Sequence, residues 1–309
     1  MVSERVVMVD GVREKKLDSL LTADFVERWR EAYLQFYGYK KEGVFLIVPS
    51  LFFGKTWSYV PGLTYSDISR SDGEKLLHEL NGKQFNIRTL DPMKKSFEPF
   101  EPVTMRLWIG SQSHKDIFSH FHATKRRNLR RADESGVVSK IANTPELLDD
   151  FYHLYTMSMH RLGTPPLAKK LFETLNKHVE LEIAVAYVNS IPAAALIIVY
   201  DETIAWNPYA ASDRKFADTF ANEAVYRDAM YRAVDKGKTI FDCGRSPYES
   251  GTYQFKKKMG AEAVGLAILR HKEENIYAKY SLVSKLWQKL PPWIANFAGP
   301  KLRRYLADS

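Results

Sequence analysis

Five cations within seven residues, Lys125, Arg126, Arg127, Arg130 and Arg131, form the densest charge on the chain. A helix face of this kind suits a row of phosphates, as an RNA backbone or a nucleotide presents. The plainer alternative is a solvated face partly neutralised by Asp133 and Glu134. A second cluster fills Phe241 to Ala261, FDCGRSPYESGTYQFKKKMGA: a strand end, a Gly-Arg turn, a loop with Ser250 and Gly251, then Phe255 and a Lys run before Gly260. Asp242 and Arg245 frame the turn. Asp242 is there either as a base or as the partner of Arg245, and pairing is the commoner role. On its own, Lys256 to Lys258 reads as a solvated run. The eight histidines are dispersed, and His120 and His122 have no carboxylate or cysteine at ligand spacing. Cys243 is the only cysteine, which excludes an intramolecular disulfide and a cysteine-based zinc site. Neither a metal nor a cofactor is expected.

The elements that position these clusters follow from periodicity. The 309 residues, 45% hydrophobic and 13% aromatic, suffice for two cores. The formal charge of +8 favours polyanionic partners. No window offers the roughly 18 apolar residues of a membrane span, and the first thirty residues lack a signal-peptide core. A cytoplasmic protein is expected, with the inner membrane surface as a second location. Apolar residues at helical spacing predict a helix over Thr22 to Tyr37. Strands are predicted at Val44 to Val48, as a pair bent around Gly54 within Leu51 to Gly62, and at Phe85 to Leu90 and Thr104 to Ile109. Ser71 to Leu80 reads as a helix between them. A boundary near residue 112 divides 1–112, with 272–309 returning to it, from 113–271.

The second part opens with one long helix from His114 to Gly136, and Thr144 with Pro145 starts the next. Ile183 to Ala211 reads as a three-strand antiparallel meander, followed by a helix over Asn222 to Lys236 and a strand over Thr239 to Cys243. The tail from Tyr280 to Leu306 is amphipathic. There Leu282, Val283, Leu286, Trp287 and Leu290 oppose Lys279, Lys285 and Lys289, and Trp293 and Phe297 precede Lys301, Arg303 and Arg304. Trp with basic residues suits peripheral contact of 280–306 with a membrane; a helix covering the first part is the alternative.

The pattern D-x-G-R-S followed by G-x-x-x-F-K-x-x-x-G, here Asp242 to Ser246 and Gly251 to Gly260, resembles the signature of the Fem-type peptidoglycan bridge-forming aminoacyltransferases, a branch of the GNAT-like acyltransferases. The segments HATKRRNLRRADESGV (122–137), YHLYTMSMHRLGTPPLAKKLFETL (152–175, taken as one helix) and ANEAVYRDAMYRAVDKG (221–237) are similar to that family as well. The resemblance implies an α/β fold of two tandem GNAT-like domains with mixed, largely antiparallel sheets, the second carrying the transfer site. It implies that Phe255 and Lys256 line that site, Lys256 steadying the oxyanion of the acyl carbonyl, which a fixed cation in a dry groove does well. It also makes Arg161 a substrate contact, the alternative being a helix-end arginine on free carbonyls. Tyr209, Tyr248, Ser250 and Gly251 are placed at the groove by position.

A CoA-binding GNAT enzyme cradles the pyrophosphate on a Gly-rich loop, yet Ser212 to Glu223, SDRKFADTFANE, has no glycine. The expected donor is therefore aminoacyl-tRNA, as the resemblance implies, and the acceptor an amine such as a peptidoglycan precursor. The alternatives are an acyl-CoA or acyl-thioester N-acyltransferase, and a non-catalytic RNA- or membrane-binding module.

Overall fold

A computed structural model describes residues 17–50, 54–80, 82–270 and 284–306. Helix α1 spans Ala23–Tyr37. Thr22 Oγ1 caps it by accepting from Phe25 N, and Gly38 ends it at φ 64°. Three strands follow, β1 (Lys40–Glu42), β2 (Phe45–Ser50) and β3 (Gly54–Ser58). Of the strand pair expected around Gly54, Leu51, Phe52 and Phe53 lie outside the described residues, and the part from Gly54 on is one strand, which pairs back onto β2. The helix expected to Leu80 tightens early: α2 covers Arg70–Leu76 and a 3-10 turn covers Leu77–Leu80. Strands β4 (Phe85–Asp91) and β5 (Pro102–Trp108) complete this half.

The single helix expected from His114 is two, α3 (His114–His120) and α4 (Ala123–Glu134). Phe121 is extended at ψ 137° and the His122 side chain caps Thr124 N, so the break is built from two local caps. Strand β6 (Val138–Ala142) leads to α5 (Pro145–Arg161), and α6 (Lys169–His178) is a separate helix. The segment 152–175 is thus a helix end, a Gly-Thr-Pro-Pro turn and a helix start. The meander forms as expected in β7 (Glu180–Val188), β8 (Ile191–Tyr200) and β9 (Ile204–Ser212). A 3-10 turn (Arg214–Thr219), α7 (Ala221–Asp235), β10 (Ile240–Pro247), α8 (Gly251–Lys258) and β11 (Glu262–Arg270) follow. In the tail, 284–289 is helical and α9 covers Pro292–Arg303. Lys279, Leu282 and Val283 lie outside the described residues.

The strands form one mixed sheet in the order β1-β2-β3-β4-β11-β5-β10-β9-β8-β7-β6. Only β3/β4 and β9/β10 are parallel. Strand β11, which the sequence pattern did not single out, inserts between β4 and β5. Both sheet faces are covered, so β8 (IPAAALIIVY) is apolar along nearly its whole length. Ile183 and Val185 of β7 face the core under α1, α5 and α6, while Ala184 and Ala186 face the core under α3, α4 and α7. The small residues on that second face let α7 lie close. Thr22 ties the start of α1 to the β8–β9 turn, its amide and hydroxyl each donating to Asp201 at 2.6 Å. Among the described residues no helix is long and apolar enough to cross a membrane.

Candidate active site

Strands β9 and β10 run parallel only through Ile204↔Ile240, Ala205↔Phe241 and Trp206↔Asp242. Beyond Asp242 they part. Strand β10 slips one residue against β5, pairing Asp242 with Arg106 and then Arg245 with Thr104. The bulge rests on Gly244 at φ 76°, where a Cβ would stand 2.6 Å from Asn207 O. Glycine is needed there on both counts.

The bulge is pinned from beneath by a buried polar cluster. Asp242 Oδ1 accepts from Thr104 Oγ1 and Gly244 N, both at 2.7 Å, and Oδ2 accepts from Tyr65 Oη and Arg106 Nε, both at 2.9 Å. Asp242 and Arg106 are fully buried, and the guanidinium also stacks 4.6 Å from the Tyr65 ring centroid. The expected Asp242–Arg245 pair is therefore corrected: Arg106 holds the carboxylate. Four donors saturate Asp242, and it lines no cavity described here. Arg106 sits in β5 within PVTMRLW. A lone arginine in an apolar strand was the signal for it.

From the other side, α8 delivers Lys256. Ser250 caps this helix, its Oγ accepting from Tyr253 N at 3.3 Å. Lys256 is 7% exposed, and its Nζ donates to Gly244 O and Arg245 O, both at 3.0 Å. Burial pushes its pKa down to about 8 and pushes the neighbouring Cys243 thiol up to about 12. Lys257 and Lys258 are exposed, so the run is not uniform.

Two cavities meet at this lysine. The first, about 320 Å³, is lined by Tyr33, Arg88, Trp206, Tyr209, Arg245 and Arg303 among others. The second, about 350 Å³, is lined by Ser158, Arg161, Ser212, Asn222, Gly251 and Phe255 among others. Ala210, Tyr226, Thr252 and Lys256 belong to both walls. A third, about 210 Å³, continues from Phe255 and Asn222 to Arg214 and Glu223 at the start of α7.

Six of the fourteen expected site residues line these cavities: Arg161, Tyr209, Arg245, Gly251, Phe255 and Lys256. Phe255 packs edge-on against Tyr226 at 5.2 Å. Tyr209 stands against Phe172 at 5.3 Å, and burial raises its pKa. Arg161 is half-buried, Nη1 donating to Ser212 O at 3.4 Å; burial and the nearby Arg214 lower its pKa. Tyr248 packs on Tyr253 and Phe97 outside these cavities. The basic helix is not one free face. Lys125 is buried, pairs with Glu223 at 2.7 Å and lies 4.2 Å from the Phe255 ring centroid. Arg126 Nη1 donates to Ser119 O and Phe121 O, closing the end of α3. Arg127, Arg130 and Arg131 remain on the exposed face, with Arg131 over the Phe220 ring, and Asp133 pairs with Arg227.

The sequence model of the acetyltransferase (GNAT) domain matches residues 119–257. No curated protein matches. Among solved structures the chain is similar to FemX at 13% identity and TM-score 0.57, covering 91% of this chain and 100% of that one. It is similar to the C-terminal domain of a putative lysylphosphatidylglycerol synthetase from Agrobacterium fabrum, with 13% identity, TM-score 0.53 and coverage of 85% and 96%. It is also similar to L-PGS from Bacillus licheniformis, with 15% identity, TM-score 0.51 and coverage of 89% and 99%. These likenesses establish a shared fold, and the domain match over residues 119–257 is what supports acyltransferase activity.

Proposed function

We propose that this acyltransferase moves an aminoacyl group from aminoacyl-tRNA to the amine of an acceptor, such as a peptidoglycan precursor, on the cytoplasmic side of the membrane. The acceptor nitrogen attacks the ester carbonyl, the C–N bond forms and the C–O bond breaks, and the amine proton ends on the departing ribose oxygen. Lys256 carries the reading, because its ammonium stands on the wall common to two cavities and can meet the oxyanion where donor and acceptor converge. The division into 1–112 with 272–309, and 113–271, belongs to the same proposal: the acceptor lies between the halves and the donor lies along the second.

Charge supports the assignment of the cavities. Arg88, Arg245, Arg303 and Lys256 line the first cavity with no Asp or Glu among its described lining residues, which suits an acceptor bearing a carboxylate or phosphate. For the donor, Ser212 to Glu223 has no glycine, and the segment is a 3-10 turn that ends in Phe220 at φ 57°. The exposed Arg127, Arg130 and Arg131 can follow a tRNA backbone. The domain match to acetyltransferases favours acyl-CoA as the second reading. Calorimetric titration separates the two: charged tRNA is expected to bind with steep salt dependence and acetyl-CoA poorly. Low-micromolar acetyl-CoA affinity without tRNA binding would establish the CoA reading instead.

A further inference from the structure

Residues 284–306 contain Lys285, Lys289, Lys301, Arg303 and Arg304 and not one Asp or Glu. This stretch is fastened to the body along its inner side. Trp287 and Ala295 are buried, and a Cβ at Gly299 would stand 2.4 Å from Pro166 Cδ. Gln288 Nε2 donates to Arg161 O, Arg304 Nη2 donates to Tyr37 O, and Tyr39 Oη donates to Arg304 O, each at 2.9 Å. The outer side is the reverse of an ordinary surface helix. Trp293 and Phe297, one turn apart on α9, are 74% and 71% exposed, and Leu286 and Leu162 are 65% and 57% exposed. Lys301 Nζ lies 4.3 Å from the Phe297 ring centroid. None of these outward side chains is needed to hold the tail in place.

We propose that this face docks on an anionic phospholipid surface, the Trp293 and Phe297 rings entering the headgroup layer while Lys285, Lys289 and Lys301 meet lipid phosphates. Exposed aromatic side chains on a stretch whose charged residues are all cations match that interface. The position also matters for the site. Leu162, whose carbonyl accepts from Ser284 Oγ in the tail, lines the second cavity together with Arg161, and Arg303 of α9 lines the first. Resting on the acyl-transfer reading, the docked orientation brings both cavities beside the membrane, where a lipid-linked acceptor is presented.

Vesicle flotation of the full chain tests it, with phosphatidylcholine vesicles containing or lacking about one-third phosphatidylglycerol. The protein is expected to float with the anionic vesicles only, and to be released by salt. At about fivefold per cation, Lys285→Gln, Lys289→Gln and Lys301→Gln together weaken binding about a hundredfold. Trp293→Ala with Phe297→Ala abolishes flotation while circular dichroism and transfer to a water-soluble acceptor stay unchanged. A protein that ignores anionic vesicles overturns the proposal. So does self-association abolished by the aromatic variant, which would mark the face as an interface between copies. Either result leaves transfer to the soluble acceptor intact, so the docking proposal fails separately from the transferase reading.

Discussion

Replacing Lys256 with methionine keeps the stem and removes the charge. Two of the three ammonium donors are assigned to Gly244 O and Arg245 O, leaving one for substrate. Losing one preorganised oxyanion partner costs about 100- to 1,000-fold in rate, and acceptor affinity should change far less. Folding should survive. The lysine's pKa falls from 10.5 unfolded to about 8 folded, so the charged form costs the native state about 3 kcal/mol below pH 8. Between pH 8 and 10.5 the unfolded chain binds more protons, and stability from this group rises with pH. Methionine removes that cost at pH 7 and offsets the two lost hydrogen bonds. The same titration gives the wild type an alkaline limb: single-turnover rate should drop about tenfold per pH unit above 8, and the methionine variant should lack that limb. Lys257→Met and Lys258→Met are the controls, both positions being exposed. Equal rates in all three variants, or an alkaline limb that persists without Lys256, would refute the assignment.

Asp242→Asn strands Arg106 as an unpaired charge at 0% exposure, so chemical denaturation should show a loss of about 3–5 kcal/mol, partly recovered by adding Arg106→Gln; a variant as stable as wild type would show that the pair does not hold the bulge. Arg127→Ala, Arg130→Ala and Arg131→Ala together should leave the melting temperature unchanged, because exposed charges contribute little to stability. The same three changes should flatten the log–log salt slope of tRNA binding by about 2 to 3, and an unchanged slope would remove this face from donor binding.

What the sequence made legible was local. The cap at Thr144 with Pro145 after it, the helix ending at Tyr37 and the turns of the meander are decided by near neighbours in the chain, and they stand where the residue types place them. So is the Phe255-Lys256 motif. The long helix from His114 failed because apolar periodicity continues across Phe121 and His122 while the backbone does not. Strand β11 escaped notice because EAVGLAILR lacks a clean alternation; its register comes from β4 and β5 on either side. The Asp242 cluster joins residues separated by 136 to 177 positions, and no spacing rule reaches that far. Proximity in sequence favoured Arg245 as the partner, whereas the pleat places Arg106 directly across the ladder from Asp242.

A difference between Lys256 and three other buried cations explains why this lysine, rather than its exposed neighbours, suits the chemistry. Arg30 pairs with Glu27, Arg106 with Asp242 and Lys125 with Glu223. In each the buried charge is neutralised by a carboxylate in direct contact. The hydrogen bonds of Lys256 go instead to two neutral carbonyls. Those dipoles orient the ammonium without cancelling its charge, and burial has already removed most of its water. An anion formed beside it is then stabilised more strongly than the neutral carbonyl that precedes it, which is the condition for lowering a barrier rather than merely tightening binding. The bulge supplies both carbonyls, and the Gly244 N–H that fixes its turn is held by Asp242. The Arg106–Asp242 pair, though it lines no cavity described here, thereby sets where the charge of Lys256 stands.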